Sequence, residues 1–169
     1  MIKTNLIVAQ LCVIACAALA GCVSSPLENN NAGDFAGNWS VKWCSKTDPS
    51  LDCGGFNASL VQRGERICGD FGGALVGLRQ VDQGKIIGSA IGDIATLTVE
   101  SLRNQTILLV RAERHGNTMH WKVIDDVNNG SDDIDVIALD DILERDSTKV
   151  SSPERRLEAG ETCASFLNK

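Results

Sequence analysis

Three stretches of this chain alternate strictly between apolar and polar residues. Trp39, Val41 and Trp43 enclose Ser40 and Lys42; Leu97 and Val99 lie between Thr96, Thr98 and Glu100; Met119, Trp121 and Val123 enclose His120 and Lys122. A period of two places successive side chains on opposite faces of a strand, one face buried and one wet. Six further segments read as strands: 56–62, 66–71, 74–81, 85–91, 106–114 and 141–146. Between the runs lie Gly64-Glu65, Asp82-Gln83-Gly84, Gly92-Asp93, Arg103-Asn104-Gln105 and His115-Gly116-Asn117. Turn signals at roughly ten-residue spacing mark antiparallel hairpins, because parallel strands need long crossovers for which this sequence has no room. Segment 132–139 is ambiguous, with Ile134 and Ile137 fitting a helix and Ile134, Val136 and Ala138 a strand, and reads as a short helix or an irregular connection.

The expected fold is mainly β: a single small antiparallel up-and-down barrel or sandwich of about eight strands, with a short C-terminal tail. Closure is favoured because it removes the exposed edges a sheet of this length otherwise presents. About 135 residues follow residue 34, enough for one core and one domain, 35–169.

Upstream the pattern changes. Lys3 precedes a run of mostly small or aliphatic residues, 6–20, which turns polar at Ser24. This has the charge and length of a secretory signal and falls short of the roughly 20 apolar residues a membrane span needs. At its end Leu19-Ala20-Gly21-Cys22 resembles the lipobox of bacterial lipoproteins at all four positions. The resemblance implies cleavage after residue 21, a diacylglycerol on the Cys22 thiol, and acylation of the new amine by palmitate or a similar chain. Two or three acyl chains hold a protein to a bilayer persistently. In that family an aspartate after the cysteine commonly retains the protein in the inner membrane. Val23 stands here, so the resemblance implies the periplasmic face of the outer membrane. Residues 22–34 then comprise the lipidated cysteine and a Ser-, Pro-, Asn- and Gly-bearing tether.

Removal of residues 1–21 takes away one cation, Lys3, so the formal charge of −6 becomes −7. An acidic mature chain argues against nucleic acid and against electrostatic attachment to anionic lipid.

Besides Cys22 the mature chain holds Cys44, Cys53, Cys68 and Cys163. An even set in an oxidising compartment implies two disulfides. Of the three pairings, Cys44 with Cys53 closes the first hairpin loop, and Cys68 with Cys163 fastens the tail. No C-x-x-C spacing supports a zinc site.

The opening Gly37-Asn38-Trp39 resembles the glycine-x-tryptophan that begins lipocalin-type barrels. The succession LVQRG (60–64) and ICG (67–69) is likewise similar to small bacterial lipocalin-like domains. A packing role for Trp39 is the simpler expectation.

Catalytic patterns are missing from the sequence. His115 falls in a turn and His120 on an outward face. Gly88-Ser89-Ala90 lacks the G-x-S-x-G elbow. If Gly130 were the sixth residue of an EF-hand loop, Val127 and Val136 would occupy ligand positions, so that motif fails. The glycines of 64–73 lack the lysine and hydroxyl of a phosphate loop and serve turns and bends. The expectation is a protein that is not an enzyme and holds no metal or cofactor. Its β-domain would bind a protein in the cell envelope, as inhibitors and immunity proteins do. The alternatives are lipocalin-like carriage of a small apolar ligand, which a chain with 4% aromatic residues and no tyrosine is poorly equipped to line, or a structural envelope role. Glu154, Arg155, Arg156 and Glu158 of the tail read as a solvated face or part of a partner surface.

Overall fold

The computed structural model describes residues 33–130 and 136–146, together with Cys163 and Leu167. Its elements are β1 (Gly37–Trp43), β2 (Gly54–Arg63), β3 (Arg66–Ala74), a 3-10 turn (Val76–Leu78), β4 (Val81–Ile91), β5 (Ile94–Ser101), β6 (Ile107–His115), β7 (Thr118–Asn128) and β8 (Asp140–Arg145). The eight strands pair antiparallel in chain order and β8 closes on β1, giving an up-and-down barrel. Of the barrel and sandwich expected from the sequence, the barrel is the one formed.

Register decides what faces inward. Phe56, Ala58 and Leu60 on β2 oppose Gly73, Phe71 and Gly69 on β3, and Gly69 in turn opposes Ile86 on β4. The same row continues through Val99 and Leu108. Trp39, Phe56, Ile86, Leu97, Val110, Met119, Trp121 and Leu143 are fully buried inside. Phe56 packs on Phe71 and Trp121, with ring centroids 5.5 and 5.1 Å apart. Each large side chain so buried contributes about 1.5–3 kcal/mol relative to exposure. An apolar interior inside a charged outer wall is the inverse of a barrel that spans an outer membrane, where lipid faces the apolar side. Among the described residues no helix is long and apolar enough to cross a membrane.

One strand expectation is corrected. Segment 74–81 is chiefly the β3–β4 connection and its 3-10 turn, while β4 runs through Asp82-Gln83-Gly84. Those turn-forming residues serve the strand instead. Asp82 points inward and accepts hydrogen bonds from Ser101 Oγ at 2.8 and 3.0 Å. Gly84 lets β4 pass close to β5, where a Cβ would collide with the Glu100 carbonyl oxygen and the Phe71 ring. Within segment 132–139, residues 136–139 form an irregular connection, and the remainder lies outside the described residues.

Both disulfides join the expected partners. Cys44–Cys53 closes the β1–β2 loop, and Cys68–Cys163 has a Cα–Cα distance of 5.5 Å. Cys68 lies on the outward face of β3, between inward-facing Ile67 and Gly69, yet it is fully buried, as is Cys163. Cys163, which is helical, is thus held against the outer wall of the barrel at Cys68.

Candidate functional site

The end of the barrel where the described chain begins is sealed by aromatic packing. Phe35 and Trp39 are fully buried, and Trp39 Nε1 donates to the Phe35 carbonyl at 2.9 Å. The guanidinium of Arg145, the last residue of β8, lies 4.6 Å from the Trp39 ring centroid and pairs with Asp34 at 3.1 Å. Trp39 therefore packs the barrel end, as its simpler reading implies. Gly33 and Asp34, which the sequence assigns to the tether, are bonded to the barrel through Gly92 and Arg145. Beside them Arg114 pairs with Asp93.

A strap closes the opposite end. Val136, Ile137 and Ala138 are buried across it, and Trp121 Nε1 donates to the Ala138 carbonyl at 2.9 Å. Under the β5–β6 turn, Ser101 Oγ bridges Asp82 to the Arg103 and Asn104 amides, and the Asn104 side-chain oxygen accepts from Thr106 N. These bonds hold a buried carboxylate and a tight turn together, a structural function the sequence concealed because Asp82 stands in a run of turn formers.

At this second end the terminal part of β7 is open to solvent, as are Leu78, Val81 and Leu102. Pairing with β6 shifts register twice, between Leu109 and Val110 and between Ile107 and Leu108. Each shift is a bulge that leaves one β7 residue without an opposite number, namely Ile124 and Val127. Strict alternation would have turned half of this stretch inward. The bulges instead expose Ile124, Asp125, Asp126 and Val127 consecutively, the two apolar side chains at 51% and 60%. Leu139, equally exposed, stands alongside through the bond from Val123 N to its carbonyl at 2.7 Å. On the β6 side, half-buried Leu109 opposes Asp125 and half-buried Ile107 opposes Asn128. The result is a rim of aliphatic side chains interleaved with two adjacent carboxylates.

The neighbouring charges are arranged differently. Asp140 pairs with His120 Nε2 at 2.6 Å and with Lys122 Nζ at 3.1 Å. The hydrogen bond to His120, then that to Lys122, holds its carboxyl below the ordinary carboxylate value. Asp141 accepts from Trp43 Nε1 at 3.2 Å. His120 faces outward as expected, its pair with Asp140 lying on the outer wall of β7 and β8. His115 lies at the opposite end, at the close of β6. Among the described residues no group of three His, Cys, Asp or Glu side chains is placed to hold a metal ion.

Cys22 and the signal segment, Asp132 and Asp133, and the tail residues Glu154, Arg155, Arg156 and Glu158 lie outside the described residues. Comparison with protein-family models, curated proteins and solved structures finds no match to the chain.

Proposed function

We propose that this chain is a lipid-anchored protein of the cell envelope, held by Cys22 to the periplasmic face of the outer membrane, whose barrel binds a basic protein through the end of β7. The observation that carries the binding surface is the twice-bulged run Ile124-Asp125-Asp126-Val127. The bulge at Val127 turns out a side chain that strict alternation would have faced inward, forgoing burial at a cost that a protein interface can offset. Interfaces combine an apolar centre with a polar rim, and two solvent-facing carboxylates at that centre's edge select and steer a cationic partner. Inhibitors and immunity proteins act by this kind of capture, without chemistry of their own. The anchor rests on the sequence at 19–22.

Carriage of an apolar ligand has less support. The interior holds Trp39, Phe56, Phe71 and Trp121 among aliphatic side chains, and each end is covered, by Phe35 with Arg145 and by the 136–138 strap. A carrier needs that volume for its ligand.

The test is capture from envelope extracts by the mature protein and by D125K/D126K. The expected result is a partner retained by the parent at low salt, released at high salt, and lost on charge reversal, with the fold unchanged by circular dichroism. Equal recovery by both proteins would contradict the assignment.

A further inference from the structure

We infer that the β4–β5 hairpin tip, with Ile91 and Ile94 on either side of Gly92-Asp93, is the surface through which the barrel touches the bilayer. The inference rests on the reading of Cys22 as the anchor. Ile91 is 76% exposed and its register partner Ile94 44%. Both point outward, because their neighbours Ala90 and Ala95 are fully buried inside. The other two hairpin tips at this end are flanked by Arg63 with Arg66 and by His115 with Thr118. Among the hairpin tips of this end, an exposed aliphatic pair is thus peculiar to β4–β5.

Chain connectivity says what meets it. Gly33 N donates to the Gly92 carbonyl, and a Cβ on Gly33 would lie 2.6 Å from Asp93 Oδ1 and 2.8 Å from Gly92 O. The chain therefore leaves the barrel towards Cys22 from a point in contact with this turn. Only residues 23–32 intervene between Gly33 and the proposed acyl-bearing cysteine, a reach of at most about 40 Å. Confinement of that order makes contact between tip and bilayer effectively intramolecular, so two isoleucines suffice where they would not bind a free domain. Charge agrees with this orientation. The β2–β3 turn, flanked by Arg63 and Arg66, is bonded to the same hairpin through Ala90 N and the Glu65 carbonyl at 2.7 Å. Isoleucines at the acyl boundary with arginines at phosphate level match the layering of a bilayer surface. Of the carboxylates next to the tip, Asp34, Asp93 and Glu113, the last opposite Ile94, are each paired with an arginine, and Glu65 stands in the β2–β3 turn between Arg63 and Arg66. The exposed Asp125 and Asp126 are carried to the opposite end, away from anionic headgroups.

The experiment uses the full lipidated protein reconstituted into phosphatidylethanolamine–phosphatidylglycerol vesicles whose acyl chains are brominated. Ile91→Trp and Ile94→Trp probe the tip, and Leu78→Trp, in the 3-10 turn at the other end, is the control. Emission of the native tryptophans is subtracted using the parent protein. The expected result is that all variants float with the vesicles, that the tryptophan introduced at either tip position loses emission to bromine, and that the one introduced at 78 does not. Flotation with no quenching at the tip, or with equal quenching at position 78, would overturn the bilayer contact and leave the anchor standing. Failure of the parent to float would overturn the anchor and the contact together.

Discussion

The two ends of this barrel are closed by different means, and the difference orients the molecule. At the Gly33 end the seal is aromatic and cationic: Phe35 and Trp39 under the Arg145 guanidinium, with neighbouring acids neutralised by arginines. Its conspicuous exposed feature is an aliphatic hairpin tip. At the strap end the seal is backbone and buried hydrogen bonds, through Ala138, Asp82 and Ser101. There the strand that should have ended quietly bulges twice and presents carboxylates among aliphatic side chains. On the proposed reading, one end rests against the bilayer and the other meets a basic partner.

The comparison can be broken most forcefully through the disulfides, one near each end. Cys68, close to the start of β3 at the Gly33 end, joins Cys163 across a separation of 95 residues, whereas Cys44–Cys53 spans 9 at the strap end. The chain-entropy model assigns about 4–5 kcal/mol to the longer loop and about 2.5–3 kcal/mol to the shorter. C68S/C163S should therefore lower the urea midpoint more than C44S/C53S does. The former also frees the Cys163 segment from β3, so it should raise protease sensitivity of the tail. The reverse ranking would show that the strap end is the one that needs covalent support.

A smaller effect sharpens the comparison at Asp140, the carboxylate of the strap end that is already occupied. Its carboxyl is held below 3.8 by His120 first and Lys122 second, so the folded state binds its proton more weakly than the unfolded chain. The resulting stabilisation is present above 3.8 and is lost as pH falls through the lowered folded value. D140N should be slightly less stable than the parent at neutral pH, and the gap should close in acid. Exposure and salt screening make this the smallest change, and added salt should shrink it further. Partner capture should respond to D140N far less than to D125K/D126K.

Much of the fold was legible because alternation is a local signal. Trp39 to Trp43, Thr96 to Glu100 and Met119 to Val123 all proved to be strand with the apolar face inward. Loop lengths and cysteine parity likewise led to the disulfide pairs that form. Local signals failed where a tertiary contact gave a residue an unusual setting. Asp82-Gln83-Gly84 looks like a turn until β5 supplies Ser101 for the carboxylate and a close-passing backbone for the glycine. The stacking of Arg145 on Trp39 joins residues far apart in sequence, and nothing in either neighbourhood announces it. The bulged run was the hardest to read. A bulge interrupts alternation, so 124–127 resembles a polar turn with acidic ends, when its exposed isoleucine and valine are the informative residues.

The claim that β7 carries the partner surface is tested most directly by photo-crosslinking in intact envelopes. A benzophenone amino acid placed at Val127 in the lipidated protein is compared with the same group placed at Ile91. The account predicts a discrete protein adduct from position 127 that diminishes in the D125K/D126K background, and no protein adduct from position 91. A protein adduct from position 91 and none from 127 would contradict it.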